Sequence, residues 1–549
     1  MRTAGLRLLI ELAPDDGRGL RDVRVDVSRE LGPGWSVGYL FPAPRTADLG
    51  RFYVARGDVP ASPSYPISAL GYDMSRGLAD RIGAQVEPDL PSSSYRQDGT
   101  TVGRPPPAAD AAGPSIDDKW WSVKNVRADQ AWDTVPAPGG AARGAGILVG
   151  NIDTGYTQHD EIYPDTLNLT IDRDVLDGDD DALDPLIKRW WFPLDNPGHG
   201  TGTSCVIGSR STGEVVGTAP ESTVVPIRSI ISVVQVLDGD IARAVDYARS
   251  VGCRVISVSL GGRGFSGLQA AIARAVDEGV IVMAAAGNYV GFVSAPASYP
   301  ECLAVAASTI DHQPWSGSSR GTEVDISAPG QAVWTAATNK GPNGPVYTVE
   351  RGDGTSFAVA ALAGVAALWL AHHDPAAVAA KYGGSTQEVF RALVAQTCRT
   401  PPGWDTSRYG AGIVDAKTLL EARLPDLPAA PTVSTAQAAT GRPGLGQLAA
   451  TWSDRSIDQI VTSLGKRLGG LSGVAGTDRI ARYASEIRYL AGEDPVLHEA
   501  LVPSTFAGDI VPLADAEADA QQGLPGAVVD RRVSTGVSSE LARALSGQP

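Results

Sequence analysis

At 549 residues the chain is too long for one hydrophobic core, so two or three domains are expected, one of them large. Its 43% apolar and 20% charged residues are ordinary for a globular protein. The formal net charge of −16 argues against nucleic acid or an anionic membrane as partner and says nothing about the reaction. Four cysteines (Cys205, Cys253, Cys302, Cys398) in so long a chain do not make a disulfide framework, and none has zinc-ligand spacing; each is expected to be a small buried hydrophobe.

The amino terminus carries a charge on each side of the apolar run Leu8-Leu9-Ile10, which is too short for a signal-peptide core. No later stretch reads as a transmembrane helix, so a cytoplasmic location is the expectation, with export by another route the alternative. Residues 1–90 form a small α+β unit by pattern. Val23, Val25 and Val27 alternate as a strand, and Trp35 to Leu40 offers another. Ile67 to Ile82 carries Leu70, Met74, Leu78 and Ile82 at near-helical spacing, and Gln85 to Asp89 reads as a last strand. Residues 91–114, rich in Ser, Gly and Pro, are a linker by composition.

Residues 115–424 alternate strands and helices in the manner of a parallel sheet. An apolar strand from Gly146 ends in Asp153-Thr154-Gly155 and delivers a carboxylate to the carboxyl edge of the sheet, where open α/β sheets place their sites. The following loop holds Asp172, Asp174, Asp177, Asp179, Asp180, Asp181 and Asp184. Such oxygens suit calcium, but Gly178 is misplaced for an EF-hand and a solvated acidic loop is the favoured reading. His199 lies in Asn196-Pro197-Gly198-His199-Gly200-Thr201-Gly202-Thr203, where glycines allow close approach to the ring; His159, nearer Asp153 along the chain, competes with it. Asp240 can cap a helix with Ile241, Ala244, Val245 and Ala248 on one face, ended by Gly252; strand Val255 to Leu260 follows. A helix with Leu268, Ala271, Ile272, Ala275 and Val276 inward ends at Gly279, and strand Val280 to Ala286 leads to Asn288.

Ser356 then stands in Gly352-Asp353-Gly354-Thr355-Ser356-Phe357-Ala358, at the head of a run apolar on all sides through Trp369. The run stops at His372, which reads as too short for a bilayer. A serine so placed has its hydroxyl near helix N-terminal N–H groups and the positive end of the dipole, which favours a developing anion. A hydroxyl is a weak nucleophile, so it requires a base, an orienting acid and a second oxyanion donor. Beyond a second linker, residues 425–445, the segment 446–549 offers two amphipathic stripes: Ile457, Ile460, Val461, Leu464, Leu468, and Ile480, Ala484, Ile487, Ala491. A helical hairpin docked on the large domain is expected, with a tail after Pro503 of disorder-prone composition.

The segments around Asp153, His199 and Ser356, in that order, resemble the signatures of subtilisin-like serine peptidases. Ser257-Val258-Ser259-Leu260-Gly261-Gly262 resembles the family's substrate-binding edge strand, and Ala284-Ala285-Ala286-Gly287-Asn288 the segment of its oxyanion asparagine. Ala297 to Pro300, Ser318 to Gly321 and Ala328 to Gly330 add to the likeness, which covers roughly residues 115–422. The chain departs from the family in having Phe357 for the usual Met and Ala360 in place of a proline in the first helical turn.

The resemblance implies a three-layer, doubly wound α/β catalytic domain that hydrolyses protein or peptide substrates. Asp153, His199 and Ser356 would form the triad, with Asn288 and the Ser356 N–H holding the oxyanion. Ser257 to Gly262 and Ala285, Ala286 and Gly287 would line the substrate path, with an apolar P1 preference. No cofactor is required; structural calcium is compatible with the family. Residues 1–90 resemble its inhibitory propeptide, whose tail fills the cleft until cut in the 91–114 linker. The alternatives are a dedicated intracellular processing protease with a retained N-terminal domain, and a peptide-binding scaffold without activity. Nothing in the residues sets the oligomeric state.

Overall fold

The computed structural model describes residues 3–41, 48–61, 65–91, 115–134, 143–187, 196–210, 212–232, 236–289 and 293–426, with Tyr483, Glu486, Tyr489, Leu490, Ser538, Ser539, Leu541 and Arg543. Nearly all of both linkers, both C-terminal stripes and most of the tail lie outside the described residues. The chain divides into two units, residues 1–94 with 441–549, and residues 95–440.

The first unit is built from β1 (Thr3–Glu11), α1 (Leu20–Leu31), β2 (Ser36–Tyr39), β3 (Phe52–Pro60), α2 (Ile67–Ile82) and β4 (Gln85–Pro88). The strands form an antiparallel sheet in the order β2-β3-β1-β4. The run Leu8-Leu9-Ile10 belongs to β1, and Leu6, Leu8 and Ile10 share a core with Val23, Val27, Tyr72, Leu78 and Val86. The helix over Ile67–Ile82 and the last strand form as expected; α2 stops at Gly83, in the left-handed region at φ 63°. The expected strand at Val23, Val25 and Val27 is instead the middle of α1. Leu20, Val23, Val27 and Leu31 recur at helical spacing, and Val25, on the opposite face, is 57% exposed. Asp89, after β4, is buried and paired with Arg7 (2.8 Å). The expected C-terminal hairpin lies outside the described residues; of the C-terminal residues that are described, Glu486 and Tyr489 meet α2 of this unit.

The second unit carries a seven-stranded sheet, all its pairs parallel, in the order β11-β10-β9-β8-β5-β7-β6. Its elements are β5 (Leu148–Asp153), β6 (Arg173–Asp174), α3 (His199–Gly208), β7 (Thr223–Arg228), α4 (Asp238–Ser250), β8 (Val255–Val258), α5 (Ser266–Asp277), β9 (Ile281–Ala285), β10 (Leu303–Ser308) and β11 (Val324–Pro329). A hairpin of β12 (Val333–Gly341) and β13 (Gly344–Gly352) then leads into α6 (Thr355–His373). Buried strands of this kind read as continuous Val, Ile and Ala runs because both faces are covered. Asp240 is not the cap of α4; Leu237 holds that place, and Asp238 and Asp240 sit in the first turn, where carboxylates suit the dipole.

Two elements position the site. After β5 the chain lays β6 and β7 on one side of it and then crosses to lay β8 to β11 on the other, so the order reverses at β5, where open α/β sheets form a crevice at the carboxyl end. Helix α6 is buried almost throughout, from Thr355 to His372. At 19 residues it is long and apolar enough to cross a membrane, contrary to the estimate from sequence, but its most apolar window is entirely inside the domain, as in the core helix of a globular protein.

Candidate active site

Asp153 is the last residue of β5, buried at the reversal point. His199 opens α3, directly after Gly198 in the left-handed region. The two segments meet because both lack side chains where their backbones touch: a Cβ on Gly200 would lie 2.1 Å from the Gly155 carbonyl oxygen. His199 Nδ1 is then 2.7 and 2.9 Å from the two oxygens of Asp153. With Nδ1–H donated to a carboxylate, Nε2 is left with its lone pair, the tautomer a general base needs.

The carboxylate is held by two further donors. Thr154 N donates to Oδ1 (2.7 Å) and Thr203 Oγ1 to Oδ2 (3.0 Å). Thr203 in turn accepts from Asn151 Nδ2 (2.9 Å), which fixes where the hydroxyl proton points. Thr203 is four residues after His199 on α3, so both face the same carboxylate. Asp184 ties the acidic loop to this corner, accepting from Gly198 N (2.7 Å), Leu186 N (2.8 Å) and the Thr154 side chain; burial raises its pKa. His159 is not brought to Asp153. Its Nε2 meets the Thr348 carbonyl (2.9 Å) and its Nδ1 accepts from Glu161 N (3.2 Å).

Other acids of the loop are used within the fold. Asp174 and Asp177 pair with the buried Arg228, and Asp172 accepts from Ala182 N (2.7 Å). Among the described residues no three His, Cys, Asp or Glu side chains are grouped to hold a metal ion. Cys205 is buried in α3 with its thiol pushed up to about 12 by burial, the opposite of a reactive thiolate.

Ser356 sits in the first turn of α6, and its Oγ donates to the Ser259 carbonyl (3.3 Å). The neighbouring Phe357 ring lies 6.3 Å from the His199 ring, so the helix start and the imidazole share one pocket wall. Phe357 fits because residue 352 is glycine: a Cβ there would be 2.4 Å from Phe357 Cε2. Asn288 follows β9 and Gly287, with its Oδ1 accepting from Thr355 N (2.9 Å) and Thr355 Oγ1 (2.7 Å). Thr355 Oγ1 is itself fixed by Gly287 N (3.2 Å). Anchoring the amide oxygen turns Nδ2, a donor, toward the Gly354 side of the crevice.

The substrate-binding expectations divide. Ser257 and Val258 pair with β5 on one side and β9 on the other and are wholly buried, so neither offers an edge to a peptide; these two are corrected to core positions. Ser259, Leu260, Gly261 and Gly262 continue past the end of β8, and Gly262 N donates to the Ala295 carbonyl (2.7 Å). Ala285 ends β9; Ala286 N is bonded to Val305 and the Gly287 carbonyl accepts from Ser319 N. Reading the sequence missed Asn151, Thr154, Thr203, Asp184 and Thr355. The Gly-Thr-Gly-Thr repeat after His199 was the available signal for Thr203.

Fold and site together define a serine hydrolase of the three-layer α/β class. Residues 144–412 match the model of the subtilase family. The chain is 32% identical over 261 residues to thermitase from Thermoactinomyces vulgaris, a match covering 46% of this chain and 83% of thermitase. It is also 32% identical over 335 residues to an extracellular protease from Xanthomonas campestris pv. campestris, covering 55% of this chain and 54% of that one, so it spans about half of that relative. The crystal structure of fervidolysin from Fervidobacterium pennivorans, described as a keratinolytic enzyme related to subtilisin, is similar in fold, with a TM-score of 0.54 and 20% identity over 77% of this chain and 62% of that one. The chain belongs to the subtilase family of serine endopeptidases.

Proposed function

We propose that the chain hydrolyses peptide bonds through an acyl-enzyme on Ser356. The observation that carries the assignment of residues is the close Asp153–His199 pair, which leaves Nε2 basic beside the α6 terminus. Ser356 Oγ attacks the scissile carbonyl as His199 Nε2 takes its proton; the same nitrogen returns the proton to the leaving amine, and water then repeats the sequence on the ester. Asp153 orients the imidazole and stabilises its cation. Asn288 Nδ2 and the Ser356 N–H stabilise the tetrahedral oxyanion, being already fixed where the charge develops. Extended peptide binds along residues 259–262, with an apolar P1 side chain, and residues 1–90 serve as an inhibitory propeptide.

Intact-mass spectrometry after exposure to a fluorophosphonate tests this. The wild-type chain is expected to gain a single adduct and Ser356→Ala none. An adduct retained by Ser356→Ala would place the nucleophile elsewhere.

A further inference from the structure

The first unit contains a charge cluster built from opposite ends of the chain. Arg76, in the middle of α2, is 7% exposed, and its Nη1 lies 2.9 Å from Oε2 of Glu486, which is 1% exposed. Arg76 Nη2 donates to Ser538 Oγ, 462 residues away. Ser538 closes the triangle: its N donates to Glu486 Oε1 (2.6 Å) and its Oγ to Oε2 (2.7 Å). The guanidinium carbon lies 5.7 Å from the Tyr72 ring centre and 4.9 Å from that of Tyr483, and Tyr489 packs on Tyr72 at 6.0 Å. Leu490 and Leu541 are buried, and Ser539 N reaches Tyr65 Oη (2.9 Å) and Asp73 Oδ2 (3.0 Å).

A desolvated ion pair contributes little net stability but fixes which surfaces can meet, because either charge buried alone is strongly unfavourable. Asp73, one turn earlier on α2, lies 3.5 Å from Arg76 Nη2 and is partly exposed; the closer and fully buried carboxylate, Glu486, comes from the C-terminal segment, so the inward face of α2 marks a docking surface for it. We propose that this segment is a latch: when the chain is cut between the N-terminal unit and the catalytic domain, α2 stays bound to Tyr483, Glu486, Tyr489, Ser538 and Ser539, so scission alone does not release the unit. Covalent continuity of the C-terminal segment with the catalytic domain then keeps the severed unit on its own enzyme. The inference goes beyond the proposed function and does not depend on which serine is the nucleophile.

The test uses the full chain carrying Ser356→Ala, with the recognition sequence of a site-specific viral protease inserted between Gly99 and Thr100. After cutting, the N-terminal fragment is expected to co-elute one-to-one with the remainder in size exclusion with light scattering. Glu486→Arg and Arg76→Glu should each raise its dissociation constant at least about thirtyfold, the scale for truncating a buried hydrogen-bonded charge pair. The exchange of both charges should restore most of the binding. Departure of the fragment from the uncompromised chain would overturn the latch, as would equal retention by Glu486→Arg, which would locate the grip elsewhere. A complex holding two copies of each piece would overturn the intrachain assignment. Glu486→Arg leaves the N-terminal fragment's own sequence intact, so circular dichroism of the released fragment separates loss of the latch from loss of fold.

Discussion

Thr355→Val is the sharpest test of how the oxyanion donor is held. The hydroxyl supplies one of two hydrogen bonds on Asn288 Oδ1 and accepts from Gly287 N; the other bond, from Thr355 N, survives the substitution. Valine is nearly isosteric, so the loss is confined to polar contacts. Removing the asparagine donor altogether costs about 10²–10³ in kcat, a figure measured in subtilisin, a relative in this same family, rather than derived from these distances. An amide still tethered at one point but free to swing should forfeit part of that, roughly tenfold to thirtyfold in kcat, or about 1.4–2 kcal/mol. KM should stay nearly unchanged, since the interaction strengthens only as the oxyanion forms. The assay is steady-state hydrolysis of a peptide p-nitroanilide with an apolar P1 residue, in wild type, Thr355→Val, Asn288→Ala and the double variant. If Thr355 acts through Asn288, adding Thr355→Val to Asn288→Ala changes kcat by less than about twofold. Two penalties that simply multiply would refute the positioning role. Thr355→Ser, which restores the hydroxyl, should recover most of the rate.

Thr203→Val removes the hydroxyl donated to Asp153 Oδ2 and strips Asn151 Nδ2 of an acceptor; kcat should fall about tenfold with binding little affected, and an unchanged kcat would remove Thr203 from the triad's support. Gly352→Ala places a Cβ 2.4 Å from the Phe357 ring and should lower stability by about 1–3 kcal/mol in chemical denaturation. Phe357→Met in the same chain should recover most of that loss, and failure to do so would mean that the strain lies in the backbone. His373, packed on Trp369 and His372 at the end of α6, has its pKa lowered to about 4, first by burial and then by the His372 charge. The unfolded chain therefore binds this proton at a higher pH than the folded one. Stability from the neutral ring is intact above about 6.5 and lost as pH falls toward 4. His373→Gln should flatten the thermal-stability slope in that window, by no more than about 1–2 kcal/mol after discounting for solvent screening of the part-exposed ring. An identical slope in the variant would refute the assignment.

The catalytic domain was legible because its strongest signals are local. A strand ending in Asp-Thr-Gly, a histidine among glycines and a serine before an all-apolar helix each announce themselves within ten residues, and βαβ rhythm supplies the sheet that gathers them. The partners of those residues were not legible in the same way. Thr355 is 67 residues from Asn288 and Thr203 is 50 from Asp153, and a threonine carries no mark of which distant group its hydroxyl meets. Ser257 and Val258 are a related case: the family likeness points to this segment, but only the pairing on both sides shows that these two residues have no free edge. At Val23 to Val27 the failure was one of window length, since three alternating valines fit period two until Leu20 and Leu31 are included.

The C-terminal segment shows the limit most clearly. Arg76 follows Tyr72 by one helical turn, on the inward face of α2, and that placement alone implies a buried anion nearby. The chain has 62 acidic residues, and nothing in the neighbourhood of Arg76 selects Glu486 among them. Choosing it requires Ser538, which bonds both carboxylate oxygens and the guanidinium at once, and Tyr483, which covers the guanidinium face. Specificity here resides in three short pieces of chain, each uninformative alone, and that is why the contact of the C-terminal residues with α2 could not be read from any one of them.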